Sequence, residues 1–228
     1  MVNSQWSMEN AQQPSVVGRP SSIVRFFAHF FSVIFHPLFI PFYVVAFLVF
    51  FHPSYFSGFG EHEKNSLLFT TILNTVFFPL ISVLLMKGLG FIQSVFLHTQ
   101  KDRIAPYLTV MIFYFWAAWV FFKFEPQLSP VFPSFMTGIV ITTVAALLSN
   151  IYFKISMHAM GVGGMLGIFL VIMQTNSMLM TWPLCIALLI TGIVCTSRFL
   201  ISDHNAKEIY WGLAVGLLCQ FAVALILV

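Results

Sequence analysis

Apolar runs long enough to cross a bilayer recur along this chain, and only short polar islands separate them. A bilayer core offers no water to backbone N–H and C=O groups, so the segments that cross it are helices or strands of a closed barrel. Runs of about twenty apolar residues call for helices. Hydrophobic residues make up 59% of the 228 and charged residues only 7%, against roughly a quarter charged in a soluble domain. The expected fold is therefore all-α, a polytopic membrane helix bundle of six to seven transmembrane helices.

Residues 1–22 are polar and carry no hydrophobic period, so they read as a disordered tail before a single membrane-embedded domain over residues 23–228. They do not read as a secretory signal. Residues 23–51 form a long apolar run broken by Pro37 and Pro41. Arg25, His29, Ser32 and His36 recur at spacings of four, three and four, one stripe of a helix. One reading is an amphipathic helix in the interface ahead of the first span. The sharper one brings His36, where the crossing part starts, to a functional site. Further spans are expected at about 67–86, 107–122, 135–153, 159–173, 178–196 and 209–228. The pairs Gly163/Gly167 and Gly212/Gly216 predict a close approach of the helices that carry them. Cys185, Cys195 and Cys219 lie inside apolar runs and read as core residues.

Three polar islands hold most of the remaining chemistry. The first is residues 98–107, with Lys101 and Arg103; the second is residues 154–158, with Ser156 and His158. The third is residues 197–212, with Arg198, His204 and Glu208. Two spans separate each island from the next, and an even number of crossings returns the chain to the same face. All three can therefore meet. His204 and Glu208 are four apart, which puts them on one helical face if a helix begins near Asp203. A carboxylate there orients the imidazole. Arg103 and Arg198 supply fixed positive charge, Lys101 a further one, and helix N-termini near His158 and His204 add free N–H groups for an anion. Two histidines and a carboxylate provide a nucleophile, a general acid and an orienting base. No acidic cluster offers oxygen ligands to magnesium or calcium, and no Cys/His pair has zinc spacing, so neither metal nor cofactor is expected. A net charge of +3, scattered along the chain, does not point to nucleic acid.

Ser197-Arg198-x5-His204-x3-Glu208 resembles the third signature, SR-x5-H-x3-D, of the phosphatidic acid phosphatase type 2 superfamily. Ser156-Met157-His158 resembles its second, PSGH, and Lys101-Asp102-Arg103-Ile104-Ala105-Pro106 its first, K-x6-RP. The likeness covers about residues 98–212. It implies a metal-independent phosphatase in which His204 forms a phosphohistidine, Glu208 orients it and His158 is the general acid. Arg103, Arg198, Ser156 and Lys101 would hold the phosphoryl oxygens. Phe96 stands where the first signature has lysine, Met157 where the second has glycine, and Glu208 where the third has aspartate.

The substrates this implies are lipid phosphates or prenyl diphosphates held with their tails in the bilayer. The alternatives are a lipid phosphotransferase using the same histidine and an inactive member that binds lipid head groups. A transporter lacks support, because no span carries paired mid-membrane charges. Arg19, Arg25, Lys87, Lys101, Arg103, Lys154, Arg198 and Lys207 fall on the islands' side and only Lys64 and Lys123 on the other. The positive-inside rule then places the protein in a cell (inner) membrane with its site toward the cytoplasm.

Overall fold

The computed structural model describes residues 21–52, 54–92, 94, 100–175, 179–201 and 204–228. Nearly all of the polar tail, Phe96, His98, the Lys101 side chain, the end of the expected 174–177 turn and Asp203 lie outside the described residues. The described chain is helical, without strands. Its elements are α1 (Ser22–Ile34), α2 (Ile40–Phe50), α3 (Glu61–Gly88), α4 (Gln100–Phe122), α5 (Val131–Tyr152), α6 (Met157–Thr175), α7 (Thr181–Ile201) and α8 (Ala206–Leu227). The last six are long and apolar enough to cross a membrane. The protein is a polytopic helical membrane protein.

The first apolar run departs from a single span. Residues 23–51 fold as two short helices that break at His36-Pro37, where proline has no N–H to continue the first helix and disfavours helical geometry at the residue before it. Pro41 then sits in the first turn of α2, where no N–H is required. At 11 residues α2 measures about 16 Å, short of the ~30 Å hydrocarbon core. It still carries the chain from one end of the bundle toward the other. Phe47 packs on Phe169 of α6 with ring centroids 5.3 Å apart, and Tyr55 and Phe56 pack edge-on against Phe132 at the start of α5. The even-crossing argument for the islands therefore survives the loss of a full-length first span.

Before the break, α1 leans on α7. Ser21 caps it, accepting from Val24 N–H at 3.4 Å, so helix begins inside the segment read as tail. Its apolar side chains Ile23, Phe26, Phe27, Phe30 and Val33 point outward, while Ala28 and Ser32 are buried. Arg25 and His29 are exposed. The stripe seen in the sequence is thus split: its first half faces out and its second half faces the bundle.

Two thirds of the apolar stretch of α6 is buried, more than for any other span among the described residues. It packs chiefly on α8, and glycine is the reason the two backbones approach so closely. A Cβ on Gly216 would collide with the Met160 carbonyl, and one on Gly163 with the Leu213 carbonyl. One on Gly212 would lie 2.8 Å from the Ser156 carbonyl, and one on Gly167 2.9 Å from that of Leu217. Both expected glycine pairs therefore lie in the α6–α8 seam, each glycine against the backbone of the partner helix. At the top of this seam the Ser156 N–H donates to the Glu208 carbonyl at 3.3 Å, joining the second island to the third.

α3 has its own irregularity. Pro79 has no N–H, and its ring crowds the carbonyl four residues back, that of Thr75. The helix there widens into a π turn over Leu73–Phe77. The Thr71 hydroxyl and the Asn74 amide donate back to the Leu67 and Thr70 carbonyls at 2.7 and 2.9 Å.

Candidate functional site

The third island is built by a helix cap. Asn205 is the N-cap of α8, its Oδ1 accepting from Glu208 N–H at 2.9 Å, and its Nδ2 donates to Glu208 Oε1 at 3.0 Å. This reciprocal capping arrangement fixes the glutamate at the third helical position and turns its side chain back toward the helix start. There its other oxygen meets His204 Nδ1 at 2.6 Å. His204 precedes the helix, so the expectation that it shares a helical face with Glu208 is corrected. The cap brings the two together, not the four-residue period. Nδ1–H donating to the carboxylate leaves Nε2 with its lone pair. Burial holds the His204 pKa below the usual value, against the opposing pull of the Glu208 hydrogen bond and charge. The imidazole is thus neutral at pH 7, with its lone pair on Nε2.

His158, in the first turn of α6, faces a different element. Its Nε2 lies 3.1 Å from the Ser32 carbonyl and 3.3 Å from the Ser32 hydroxyl. A carbonyl only accepts, so this contact requires the proton on Nε2. The same hydroxyl accepts from Arg198 Nη1 at 3.0 Å. His36 packs edge-on against His158, with centroids 5.0 Å apart. Burial, and then the Arg198 charge, push the His36 pKa down to about 4. Its Nδ1 accepts from Leu38 N–H at 3.4 Å, as a neutral ring can.

Of the remaining expected residues, Arg103, Arg198 and Ser156 fall near this pair of histidines, while the Lys101 side chain lies outside the described residues. Arg103 lies close enough to Arg198 for the two charges to repel, and His204, Arg198 and His36 are all within electrostatic reach of His158. Ser156 is fully buried between the two islands, and its hydroxyl has no hydrogen-bond partner among the described residues. Lys154 acts electrostatically on His204, a proximity to which the sequence reading gave no role. Ser32 was missed as a member of the site and His36 left as one of two readings. Their only signal was the polar stripe in the first apolar run.

Below His36 and Arg103 a cavity of about 320 Å³ extends into the bundle between α3, α4, α5 and α6. The ensemble offers an oriented neutral imidazole, a second imidazole bearing a transferable proton, and two guanidinium groups over an apolar cavity. That combination suits an anion attached to a hydrocarbon. No family model, curated protein or solved structure matches this chain.

Proposed function

We propose that this protein is a membrane-embedded phosphohydrolase that removes phosphate from a lipid phosphate or prenyl diphosphate through a phosphohistidine on His204. The observation that carries the reading is the 2.6 Å contact between His204 Nδ1 and Glu208 Oε2, which aims the Nε2 lone pair away from the carboxylate. The likeness of the three motifs to the phosphatidic acid phosphatase type 2 superfamily supports it.

In this reading the substrate phosphate sits between Arg103, Arg198 and Ser156, with Lys101 as a further candidate ligand. Positive charge placed there stabilises the charge that builds on the phosphoryl oxygens. Nε2 of His204 bonds to phosphorus as the bond to the leaving oxygen breaks, and His158, brought to its imidazolium form by the negative charge of the bound phosphate, gives its Nε2 proton to that oxygen and is left neutral. Water then attacks the phosphohistidine, His158 takes its proton, the P–N bond breaks and inorganic phosphate leaves. Glu208 stabilises the cationic imidazole between the two steps. For His158 to act as the acid, its Nε2 must exchange Ser32 for the leaving oxygen. The nucleophile, acid and charge stabilisers are all side chains, so the reaction needs no metal. The charge asymmetry of the two ends supports a site on the cytoplasmic side.

The test is phosphate release from a panel of lipid phosphates by the purified protein beside His204→Ala, with and without chelator. Release that the substitution abolishes and chelator leaves alone is the expected result. Release that persists in His204→Ala overturns the assignment of the nucleophile. No release from any substrate favours a head-group binder. Turnover that needs an added acceptor favours a phosphotransferase.

A further inference from the structure

Of the imidazoles gathered at this end of the bundle, that of His36 has no part in the reaction proposed for His204 and His158. Its place is fixed from several sides. His36 N–H donates to the Val33 carbonyl at 3.2 Å, and the His36 carbonyl accepts from Phe39 N–H at 2.8 Å. The Tyr43 hydroxyl reaches back from α2 to the Ile34 carbonyl at 2.9 Å, tying the two short helices across the break. The corner rests on α6 at a glycine, since a Cβ on Gly161 would stand 3.4 Å from Pro37 Cα. The ring itself packs edge-on against His158, with centroids 5.0 Å apart.

Leu38 N–H donates to His36 Nδ1 at 3.4 Å, so the neutral ring carries its proton on Nε2. That Nε2–H makes no hydrogen bond among the described residues. The unpartnered hydroxyls of Ser156 and Tyr107 are sealed inside the bundle, whereas His36 Nε2 is not among the sealed atoms. With Arg103, His36 lines the mouth of the cavity. His158 is arranged differently: its Nε2 meets Ser32, and no donor occupies its Nδ1 among the described residues. His158 can take up a second proton and release it. His36 would lose the Leu38 bond in doing so, and it is built as a fixed donor.

A substrate with phosphorus at His204 and hydrocarbon in the cavity passes this mouth. In-line attack by His204 Nε2 puts the leaving oxygen on the far side of phosphorus, and that oxygen joins the head to the chain. Negative charge builds on it as its bond to phosphorus lengthens. A donor already held in place there stabilises the transition state more than the ground state.

We infer that His36 is a further catalytic residue: its Nε2–H donates a hydrogen bond to the leaving oxygen, while His158 delivers the proton. The inference rests on the reading that His204 attacks a lipid phosphate whose chain lies in the cavity. It gives the leaving oxygen two partners, one that transfers a proton and one that keeps its own.

Two variants and three probes test it on the full chain in nanodiscs. His36→Phe keeps a ring against His158 and removes the donor, and His36→Gln keeps an N–H donor. The probes are an alkyl phosphate, a nitrophenyl phosphate bearing the same alkyl chain, and the alkylphosphonate in which CH₂ replaces the linking oxygen. The nitrophenyl oxygen carries its charge unaided as it leaves, and the alkyl oxygen does not. His36→Phe is expected to lower kcat/KM for the alkyl phosphate by roughly 10- to 10²-fold. It should leave the nitrophenyl substrate nearly unchanged, which also shows that the variant is folded, and His36→Gln should recover most of the loss. Equal losses on both substrates in both variants overturn the inference, because a ring that only packs would act so. No loss on either substrate overturns it as well. If the wild type releases phosphate from neither, the phosphohydrolase reading falls and binding decides, measured at a pH where both alkyl head groups are dianions. The wild type is then expected to bind the alkyl phosphate about threefold to tenfold more tightly than the phosphonate, the worth of one hydrogen bond, and His36→Phe to bind them equally. Equal binding by the wild type overturns the contact.

Discussion

The Ser32 hydroxyl accepts a hydrogen bond from Arg198 Nη1 at 3.0 Å, joining residues 166 positions apart in the chain. The same oxygen lies 3.3 Å from His158 Nε2. Under the proposed function these are two of the donors that a phosphoryl or leaving oxygen needs. Under that proposal Ser32 stands where a substrate oxygen would, and a bound substrate displaces it. Ser32→Ala is expected to change kcat/KM by less than about tenfold, because substrate oxygens replace the lost acceptor. Arg198→Ala removes charge stabilisation itself and is expected to cost roughly 10²- to 10³-fold. Steady-state kinetics on the two variants side by side check the contrast. Ser32→Ala as inactive as His204→Ala would make the hydroxyl a participant in the chemistry.

The pH dependence of turnover reports on His204. Its ring must be neutral at Nε2 to attack phosphorus, so activity rises as pH climbs through its pKa. Burial depresses that pKa and Glu208 opposes the depression, so the acid limb lies below the ordinary histidine value of about 6.5. Glu208→Gln removes the opposing charge, and the limb is expected to move to still lower pH. The plateau should fall by roughly 10²- to 10⁴-fold as the ring loses its orienting base. A limb that moves upward in Glu208→Gln would contradict the balance of burial and charge.

Much of this arrangement was legible because membrane spans obey simple constraints. The even number of crossings between islands depends only on run length and survived the breaking of the first run. The Gly163/Gly167 and Gly212/Gly216 pairs announced the α6–α8 seam because only glycine lets two backbones approach that closely. The His204–Glu208 contact was anticipated for an incorrect reason, since a four-residue spacing fits both a helical face and a histidine ahead of a capping box. Asn205, which decides between them, drew no attention. The approach of Ser32 to His158 lay beyond reading, because it depends on where α1 docks on α7 after the break at Pro37. The cavity was hidden for a related reason: its lining comes from five long helices, and no local pattern marks Tyr107 and Gln220 as neighbours of one space.

The glycine seam predicts a sharp contrast in stability. A Cβ on Gly216 meets the Met160 carbonyl, which is backbone and cannot turn aside. Gly192, in α7, has nothing within 4 Å of the position its Cβ would take. Gly216→Ala is expected to cost ~1–3 kcal/mol, the usual toll of overpacking. Gly192→Ala should be neutral, or more stable by up to about 1 kcal/mol through helix propensity. Thermal melts of the detergent-solubilised variants distinguish the two. Because the seam ties Ser156 to Glu208, Gly216→Ala is also expected to lower turnover, whereas Gly192→Ala leaves it unchanged.

Sidedness gives the most direct check on the fold. α3 starts at Glu61 and α4 ends at Phe122, ahead of Lys123, at the end of the bundle away from His158 and His204. α5 ends at Tyr152, ahead of Lys154, and α8 begins beside Lys207 at the histidine end. Single cysteines at positions 61, 123, 154 and 207, in a background lacking Cys185, Cys195 and Cys219, are expected to label in two groups. A membrane-impermeant thiol reagent should reach 61 and 123 in intact cells, and 154 and 207 only after the membrane is opened. The reverse pairing would keep the bundle and turn the site outward, because the charge asymmetry and not the helix order decides orientation. Mixed labelling within either pair would break the even count of crossings between the islands. His158 and His204 could then no longer share one end of the bundle.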